Sequence, residues 1–386
     1  MKIALIGTTA NCVIGFRADL IKSLHQQGHI VYAFALDYDD KSRKQVAALG
    51  ATPVNYRFSR TGLNPIKDLY DTYTLSKQLK SITPDLVFSY FSKPCIFGTL
   101  AAVLAGVKKR YAMLEGLGYL FTEQPQGISW KVNLLKKTQI TLYRLIFPKL
   151  NALILLNPDD SNDLLVKSGI KVKKAHVLGG IGLKLADYPF SPAPTEPVSF
   201  IFIARLLAEK GVHEYVTAAK AVKRRYPDVQ FYMLGAIDKQ NPGSLTENSL
   251  KKLIEDDVII YPGHVSNVQD WINKSSVFVL PSYYREGIPR STQEAMAMGR
   301  AVISTDVPGC RETVIHEVNG FLIQRWSPEK LTARMIELIE EPSKIIEMGL
   351  ASYQLAQQKF DAHEVNGRLL EMLEITKCND VMDAPS

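Results

Sequence analysis

Short apolar runs alternate with stretches of helical period along the first half of the chain. The apolar runs predict strands at residues 3–7, 30–36, 86–89, 111–114, 152–156 and 175–178. The stretches between them predict helices near 16–27, 67–81, 97–105 and 158–168. This alternation is typical of a parallel sheet that is covered by helices. The first half of the chain therefore predicts an α/β domain.

The same alternation resumes after a proline-rich segment. Residues 187–197 contain four prolines, which disfavour helix and sheet interior and predict an exposed linker. The runs that follow predict strands at 198–203, 229–234, 258–261, 277–280 and 301–304, and the last stretch predicts a helix over 362–377. We therefore predict two doubly wound domains. In such domains ligands lie beyond the carboxyl ends of the strands.

Length and composition agree with two domains. A chain of 386 residues can form two hydrophobic cores, and 46% hydrophobic with 22% charged residues excludes a disordered or collagen-like chain. The four cysteines lack metal-ligand spacing, so we expect no disulfide framework, no zinc site and a cytoplasmic location. Thr8, Thr9 and Asn11 interrupt the apolar start, which favours a first strand over a signal peptide. No apolar run is long enough to predict a membrane-spanning helix.

The positive charge is concentrated in one window. Residues 108–174 hold 12 Lys or Arg against 5 Asp or Glu, and their net charge of +7 equals that of the whole chain. Within this window, 130–137 and 143–147 mix aromatic, aliphatic and basic residues at helical spacing. They predict either a helix lying on an anionic bilayer or a helix that packs on its own domain with solvated lysines. No nucleic-acid-binding motif accompanies the charge, so we expect no nucleic acid partner.

Two cations follow the first strand of the second domain. Arg205 lies in the loop after residues 198–203, and Lys210 is expected near the first turn of the next helix. A lysine there opposes the positive end of the helix dipole unless an anion lies nearby. The pair therefore indicates a phosphate site, or two cations that simply extend into solvent.

Residues 281–299 predict a loop followed by a short helix. Ser291 and Glu294 have the spacing of a capping box, which would account for Glu294 on structural grounds, and Gly299 would end the helix. Capping does not account for Glu286, an acid in a loop after a buried strand. The amides of residues 287–290 are expected to point towards an anion.

Taken together, these residues resemble the retaining glycosyltransferases of family 4. The resemblance rests on Arg205 and Lys210 with four residues between them, on Glu286 and Glu294 with seven between them, on the run EAMAMGRAVISTDVPGCRETV that begins at Glu294, and on the Asn319–Phe321 turn. Residues 92–106, 115–119 and 234–238 look most like bacterial members that extend lipid-linked surface polysaccharides. The resemblance implies the GT-B fold, with two Rossmann-like doubly wound domains facing across a cleft. Its parts would be residues 1–186, a linker at 187–197, a nucleotide-sugar-binding domain at 198–358, and a helix and tail at 359–386 that cross back to the first domain.

The resemblance also implies roles for individual residues. Arg205 and Lys210 would bind the donor diphosphate and stabilise its developing charge in place of a metal. Glu286 would hold hydroxyls of the transferred sugar, and Glu294 would accept both ribose hydroxyls. The remaining donor contacts implied by the resemblance are the amides of Gly287, Ile288, Pro289 and Arg290, the backbone near Val265, and Gly15 in the loop after the first strand. Glu115 stands where many members carry a histidine, and either contacts acceptor or donor sugar or is a surface acid.

The resemblance implies a metal-independent transfer of a hexose or N-acetylhexosamine with retention of configuration. The donor would be a nucleotide sugar, most plausibly UDP-linked, and the acceptor a polyprenyl diphosphate-linked saccharide reached from the cytoplasmic face, with contact to an anionic membrane surface left open. Two other functions remain as alternatives: a non-hydrolysing UDP-sugar epimerase and an inactive scaffold subunit. Asp37 and Asp39 could form the metal-binding acidic motif of the other large glycosyltransferase fold, but acids after a strand commonly begin turns and helices.

Overall fold

A computed structural model of the chain describes residues 1–59, 64–238 and 243–375. The chain divides into two compact units. Unit 1 comprises Met1–Leu117, Lys131–Ile181 and the segment from Ala362 onwards, and unit 2 comprises Gly118–Trp130 and Gly182–Asp361. The segment Gly118–Trp130, which the sequence prediction assigned to the first domain, is thus part of unit 2.

Unit 1 is built on a parallel sheet of seven strands. The strands are β1 Lys2–Ile6, β2 Ile30–Ala35, β3 Ala51–Asn55, β4 Leu86–Tyr90, β5 Lys109–Leu114, β6 Ala152–Leu155 and β7 Ala175–Val177. The α-helices are α1 Ala10–Gln26, α2 Asp40–Ala48, α3 Pro65–Ile82, α4 Thr99–Leu104, α5 Trp130–Ile146, α6 Pro158–Ser161 and, from the end of the chain, α13 Ala362–Met372. The strand order is β3-β2-β1-β4-β5-β6-β7. The order reverses between β1 and β4, which is where an open α/β sheet forms a ligand crevice at its carboxyl edge.

The predicted strands and helices of this unit are present, with two additions. Strand β3 and helix α2 were not predicted. Strand β3 carries Pro53 and two polar residues, so it does not form an apolar run. Pro53 is tolerated since β3 lies at the sheet edge and pairs with β2 alone. Helix α1 also begins at Ala10 rather than near residue 16, because the Thr9 side chain caps it by accepting from the Cys12 amide at 3.3 Å.

The acids after β2 act as helix caps. Asp37 accepts a hydrogen bond from the Ala10 amide at 2.7 Å, at the start of α1. Asp39 is the N-cap of α2, where its side chain and that of Ser42 form a capping box. These contacts give both carboxylates a structural role and favour that interpretation over a metal-binding motif.

Unit 2 is built on a second parallel sheet of six strands. The strands are β8 Ser199–Ile203, β9 Gln230–Leu234, β10 Ile260–Gly263, β11 Val277–Leu280, β12 Ala301–Thr305 and β13 Gly320–Ile323. The helices are α7 Val212–Lys223, α8 Glu247–Glu255, α9 Val268–Asn273, α10 Arg290–Ala297, α11 Pro328–Glu340 and α12 Pro342–Lys359. The order is β10-β9-β8-β11-β12-β13, so the loops after β8 and β11 are neighbours. Strand β13 begins at Gly320, where the sequence predicted only a turn.

Helix α13, the last described helix, belongs to unit 1 and packs against α1. The last residues of the predicted helix over 362–377 lie outside the described residues. Within the described part of the chain, no helix is both long enough and apolar enough to cross a membrane.

Candidate functional site

The loops after β8 and β11 bring two of the predicted catalytic residues into contact. The Lys210 ammonium forms an ion pair with the Glu286 carboxylate, and both side chains are largely buried, with 13% and 11% of their surface exposed. The Ser282 hydroxyl donates to the same Glu286 oxygen at 3.2 Å. Because the two residues follow neighbouring strands, the pairing is a direct consequence of the strand order.

The backbone around Glu209 holds these two loops together. Lys210 ends a short 3₁₀ turn, Ala208–Lys210, just before α7. In that turn the Glu209 carbonyl accepts from the amides of Tyr283 and Tyr284 at 2.9 and 3.0 Å. Gly211 follows with φ +79°, and a Cβ there would collide with the Pro281 carbonyl. The position of Lys210 relative to Glu286 is therefore set by backbone contacts as well as by the ion pair.

Tyr284 contacts both predicted cations. The Lys210 Nζ lies 5.1 Å from the centroid of its ring, within range of a cation–π interaction. The Arg205 side chain and the Tyr119 backbone N–H both donate to its hydroxyl oxygen. Burial raises the pKa of Tyr284, and the nearby Glu286 charge raises it further, so the phenol stays neutral at physiological pH.

Arg205 is the more exposed of the two cations. Its side chain is 45% exposed and lies 3.4 Å from the Asp238 carboxylate, which follows β9. An ion pair this exposed contributes little to stability. The guanidinium is therefore held beside Tyr284 and Asp238 at the carboxyl edge of the sheet, with nearly half of its side-chain surface exposed.

The predicted capping box at Ser291 is wrong. Helix α10 begins at Arg290, with Pro289 as its N-cap and no side-chain cap. The helix starts two residues earlier than the box requires, because Pro289 takes the N-cap position that the box gives to Ser291. Glu294 is held by other groups: the Tyr188 hydroxyl and the Arg290 Nε donate to one of its oxygens at 2.9 and 3.0 Å. Gly299, with φ +79°, follows the helix end as predicted.

The segment before α10 is more enclosed than the sequence suggested. Gly287, Ile288 and Pro289 are buried, and Pro289 has no amide hydrogen, so it cannot donate to an anion as predicted. Gly309, with φ +84°, allows the loop after β12 to approach the backbone of Gly287. The contact of the Gly287, Ile288 and Arg290 amides with the donor stays a prediction.

The two other predicted donor contacts are Val265 in unit 2 and Gly15 in unit 1. Val265 is half-buried in the loop after β10, at the same edge of the second sheet as Arg205 and Glu286. Gly15 is not in the loop after β1 but in the interior of α1, because that helix begins at Ala10. Thr8 and Thr9 occupy the loop itself. The predicted loop position of Gly15 is thus wrong.

Glu115 belongs to a buried polar cluster in unit 1. It forms an ion pair with Arg17, and both side chains are almost fully buried. The Arg17 guanidinium also lies 4.4 Å from the centroid of the Tyr90 ring. Burial raises the pKa of Glu115, an effect that Arg17 opposes. Glu115 is therefore not a surface acid, and its contact is a cation from α1.

The segment Gly118–Trp130 packs beside the loop that carries Glu286. Gly118 donates its amide to the Arg285 carbonyl at 3.1 Å, and the Arg285 amide donates to the Thr122 hydroxyl at 3.0 Å. Sequence reasoning missed this segment as well as Tyr188 and Tyr284. Of these, only Tyr284 lies near enough in sequence to Glu286 for its position to have indicated a role.

Comparison with known proteins identifies the second half of the chain. Residues 187–354 match the model of the family named glycosyl transferases group 1. These residues are a group 1 glycosyltransferase domain. The match includes Arg205, Lys210, Glu286 and Glu294.

Relatives of the group 1 domain include enzymes of similar length. The N,N'-diacetylbacillosaminyl-diphospho-undecaprenol alpha-1,3-N-acetylgalactosaminyltransferase of Campylobacter jejuni is 27% identical and covers 97% of this chain and 98% of its own. The UDP-Gal:alpha-D-GlcNAc-diphosphoundecaprenol alpha-1,3-galactosyltransferase of Escherichia coli is 28% identical over 67% of both. The chain is a glycosyltransferase, and the resemblance to bacterial polysaccharide enzymes is confirmed.

Solved structures share the fold of the whole chain. HepE of Anabaena, crystallised with UDP and glucose, has a TM-score of 0.76 at 17% identity and covers 97% of this chain and 100% of its own. Sucrose-phosphate synthase of Thermosynechococcus elongatus also has a TM-score of 0.76 at 17% identity, over 97% of this chain and 98% of its own. These likenesses and the two parallel sheets of seven and six strands confirm the predicted GT-B fold class.

Proposed function

We propose that this glycosyltransferase moves a hexosyl or N-acetylhexosaminyl residue from a UDP-sugar to a polyprenyl diphosphate-linked saccharide, with retention of configuration. The observation that carries the proposal is the grouping of Arg205, Lys210, Tyr284 and Glu286 at the carboxyl ends of β8 and β11. Two cations and one acid in this place suit a donor that combines a diphosphate with a sugar rich in hydroxyl groups.

The two cations are proposed to bind the diphosphate. As the glycosidic bond breaks, negative charge develops on the leaving nucleoside diphosphate, and fixed positive groups stabilise it more than they stabilise the intact donor. The Glu286 carboxylate compensates the Lys210 charge before the donor binds. The first turn of α10 has no side-chain cap, so its amides and the positive end of its dipole can meet an anion.

The two acids are proposed to orient the donor. Glu286, one of whose oxygens accepts from Lys210 and Ser282, is proposed to accept from sugar hydroxyls. Glu294 is held by Tyr188 and Arg290 through one oxygen, and a carboxylate suits the vicinal hydroxyls of ribose. Val265 would contact the base through its backbone.

Retention is proposed from the stereochemistry expected of the donor and the product. The acceptor hydroxyl would attack from that same face, and the leaving phosphate would take its proton. UDP-hexoses carry their sugar through an α linkage, so an α-linked product corresponds to retention. The two named relatives are alpha-1,3 transferases, which supports an α product here.

The proposed acceptor follows from the same relatives, whose names specify undecaprenyl diphosphate-linked substrates. A water-insoluble acceptor would be met at a membrane surface, and we propose the cytoplasmic face and a role in the synthesis of surface polysaccharide. Helix α5 carries Lys131, Lys136, Lys137 and Arg144 and no acidic residue, and its buried side chains are Tyr143 and Ile146. Both interpretations of this basic helix remain predictions.

Product analysis tests the proposal. Purified protein is incubated with a panel of UDP-sugars, with and without a polyprenyl diphosphate-linked saccharide, and the product is examined by mass spectrometry and NMR. We expect UDP release that depends on the acceptor and an α-linked product. A β-linked product contradicts retention, and an epimerised UDP-sugar formed without acceptor favours the epimerase. No reaction and no stabilisation by any nucleotide sugar favours the scaffold.

A further inference from the structure

Helix α3 of unit 1 exposes a continuous apolar ridge. Ile66, Leu69, Tyr70 and Tyr73 are 82%, 58%, 67% and 54% exposed. Their spacing of three and four residues places them side by side on one helix face. We call these four residues the α3 ridge. The opposite face, with Leu75 and Leu79, is buried in the core of the sheet.

Single exposed apolar residues are ordinary, but a contiguous group is not. Large apolar patches on a soluble protein mark contacts with proteins, ligands or membranes. The α3 ridge joins two aliphatic with two aromatic side chains on adjacent turns, so it forms such a patch. Tyrosine side chains, apolar in the ring and polar at the hydroxyl, are enriched where protein meets the headgroup region of a bilayer.

The charges around the α3 ridge specify what could cover it. The exposed charged residues of α3 are Lys67, Lys77 and Lys80, whereas its acids, Asp68 and Asp71, are both buried. Asp68 pairs with Lys93 at 2.9 Å, on the buried side. The exposed face of α3 is therefore apolar and cationic without a negative charge, and it is complementary to an anionic apolar surface.

The chain topology extends this surface. The connections from β3 to β4 and from β5 to β6 run in the same direction along the sheet order. Since such crossovers are right-handed, α3 and α5 cover the same face of the sheet. Both helices present lysines without exposed acids of their own. A broad cationic face with apolar and aromatic side chains suits a flat bilayer.

We propose that the α3 ridge docks unit 1 on an anionic phospholipid bilayer, with Leu69, Tyr70 and Tyr73 in the headgroup and upper acyl region and the lysines among the headgroups. This arrangement is that of an interfacial helix, in which apolar contact and attraction to anionic lipid add. The proposal goes beyond the transfer reaction. Vesicle binding is measured without donor or acceptor, so its outcome is independent of the proposed function.

Vesicle co-sedimentation tests the proposal on the full chain. Vesicles of phosphatidylcholine with phosphatidylglycerol are compared with phosphatidylcholine alone. We expect Leu69→Gln/Tyr70→Gln/Tyr73→Gln to weaken binding to the mixed vesicles on the order of 100-fold, from the loss of three partly buried apolar side chains. Lys67→Gln/Lys77→Gln/Lys80→Gln should weaken it roughly fivefold per lysine, and salt should weaken wild-type binding.

A matched control is available on α12 of unit 2, where Ile346 and Leu350 are similarly exposed one turn apart. Ile346→Gln/Leu350→Gln should bind vesicles like wild type. Circular dichroism verifies that the variants are folded, and transfer to a water-soluble acceptor should be unchanged in the ridge variant. Equal vesicle binding by ridge variant and wild type overturns the proposal. Equally strong binding to neutral and to anionic vesicles also overturns it. A third contrary result is that the wild type binds no vesicles but forms a dimer that the ridge substitutions dissociate.

Discussion

The Lys210–Glu286 pair allows stability and catalysis to be separated in one set of variants. Lys210→Met and Glu286→Gln each remove one charge and leave the other in a site that is nearly closed to solvent. Leaving one charge of a buried pair uncompensated costs about 3 to 5 kcal/mol when burial is complete. Both side chains are slightly exposed and the Ser282 hydroxyl still donates to Glu286. We therefore expect each substitution to lower the free energy of unfolding by about 2 to 3 kcal/mol.

The double variant decides whether the pair itself is responsible. Combining Lys210→Met with Glu286→Gln leaves neither charge of the pair without its partner, so it should recover about 1 to 3 kcal/mol relative to the sum of the single losses. Each single change should lower the melting temperature of unit 2 by roughly 5 to 10 °C. Activity should not recover, because all three variants lack a group that meets the donor, and each should turn over on the order of 100-fold more slowly or worse.

Denaturant unfolding and steady-state transfer kinetics on the same preparations measure both effects. Lys223→Met is the control, since Lys223 pairs at 3.0 Å with Asp257, whose side chain is 87% exposed. Lys223→Met should change the free energy of unfolding by less than about 1 kcal/mol and leave turnover unchanged. The reasoning is refuted if the double variant is as unstable as the sum of the singles, or if any variant at the pair keeps wild-type turnover.

Three further predictions concern Arg205 and Tyr284 of unit 2 and Glu115 of unit 1. Arg205→Ala should lower kcat/KM about 100 to 1,000-fold with little change in melting temperature, because the side chain is half exposed; a large melting shift would assign it a structural role instead. Tyr284→Phe removes the hydroxyl that meets Arg205 and should raise the KM for donor several-fold, whereas Tyr283→Phe, the adjacent control, should not; equal kinetics of the two variants would contradict this positioning role. Glu115→Gln tests the raised pKa of Glu115: native protein binds the extra proton between the ordinary value of 4.5 and the raised one, so wild-type stability falls as pH rises through that interval. The variant should lose this slope in unfolding measured across pH, and an unchanged slope would show that Glu115 does not cause it.

The loops of unit 2 could be placed from sequence because β8 and β11 are uninterrupted apolar runs. Residues that follow such strands lie at the carboxyl edge, so Arg205 and Glu286 were expected near a ligand. That their strands are neighbours is a property of the topology, which periodicity alone does not give. The contact between Lys210 and Glu286 therefore needed the structure.

The errors have local causes. The capping-box pattern at Ser291 is satisfied in sequence, but the helix begins two residues earlier, after Pro289, and Glu294 has other partners. The loop position predicted for Gly15 is wrong because the Thr9 cap starts α1 at Ala10. Strand β3 was missed because Pro53 is compatible only with an edge position, and edge strands lack the continuous apolar pattern of central ones.

Two contacts join residues that are far apart in the chain and carry no sequence pattern that links them. The packing of Gly118–Trp130 beside the Glu286 loop joins residues more than 150 positions apart. The Arg17–Glu115 pair likewise joins α1 to the loop after β5 across 98 positions. Such pairs depend on tertiary structure, and neither partner has a local pattern that predicts the other.

UDP release by wild type and by Arg205→Ala/Lys210→Met, with acceptor present and with excess chelator, tests the central claim most directly. If two fixed cations stabilise the departing nucleoside diphosphate, wild-type turnover persists in chelator, and the double variant is slower by roughly 1,000-fold or more. Loss of wild-type turnover in chelator, or near-normal turnover by the double variant, would contradict the account.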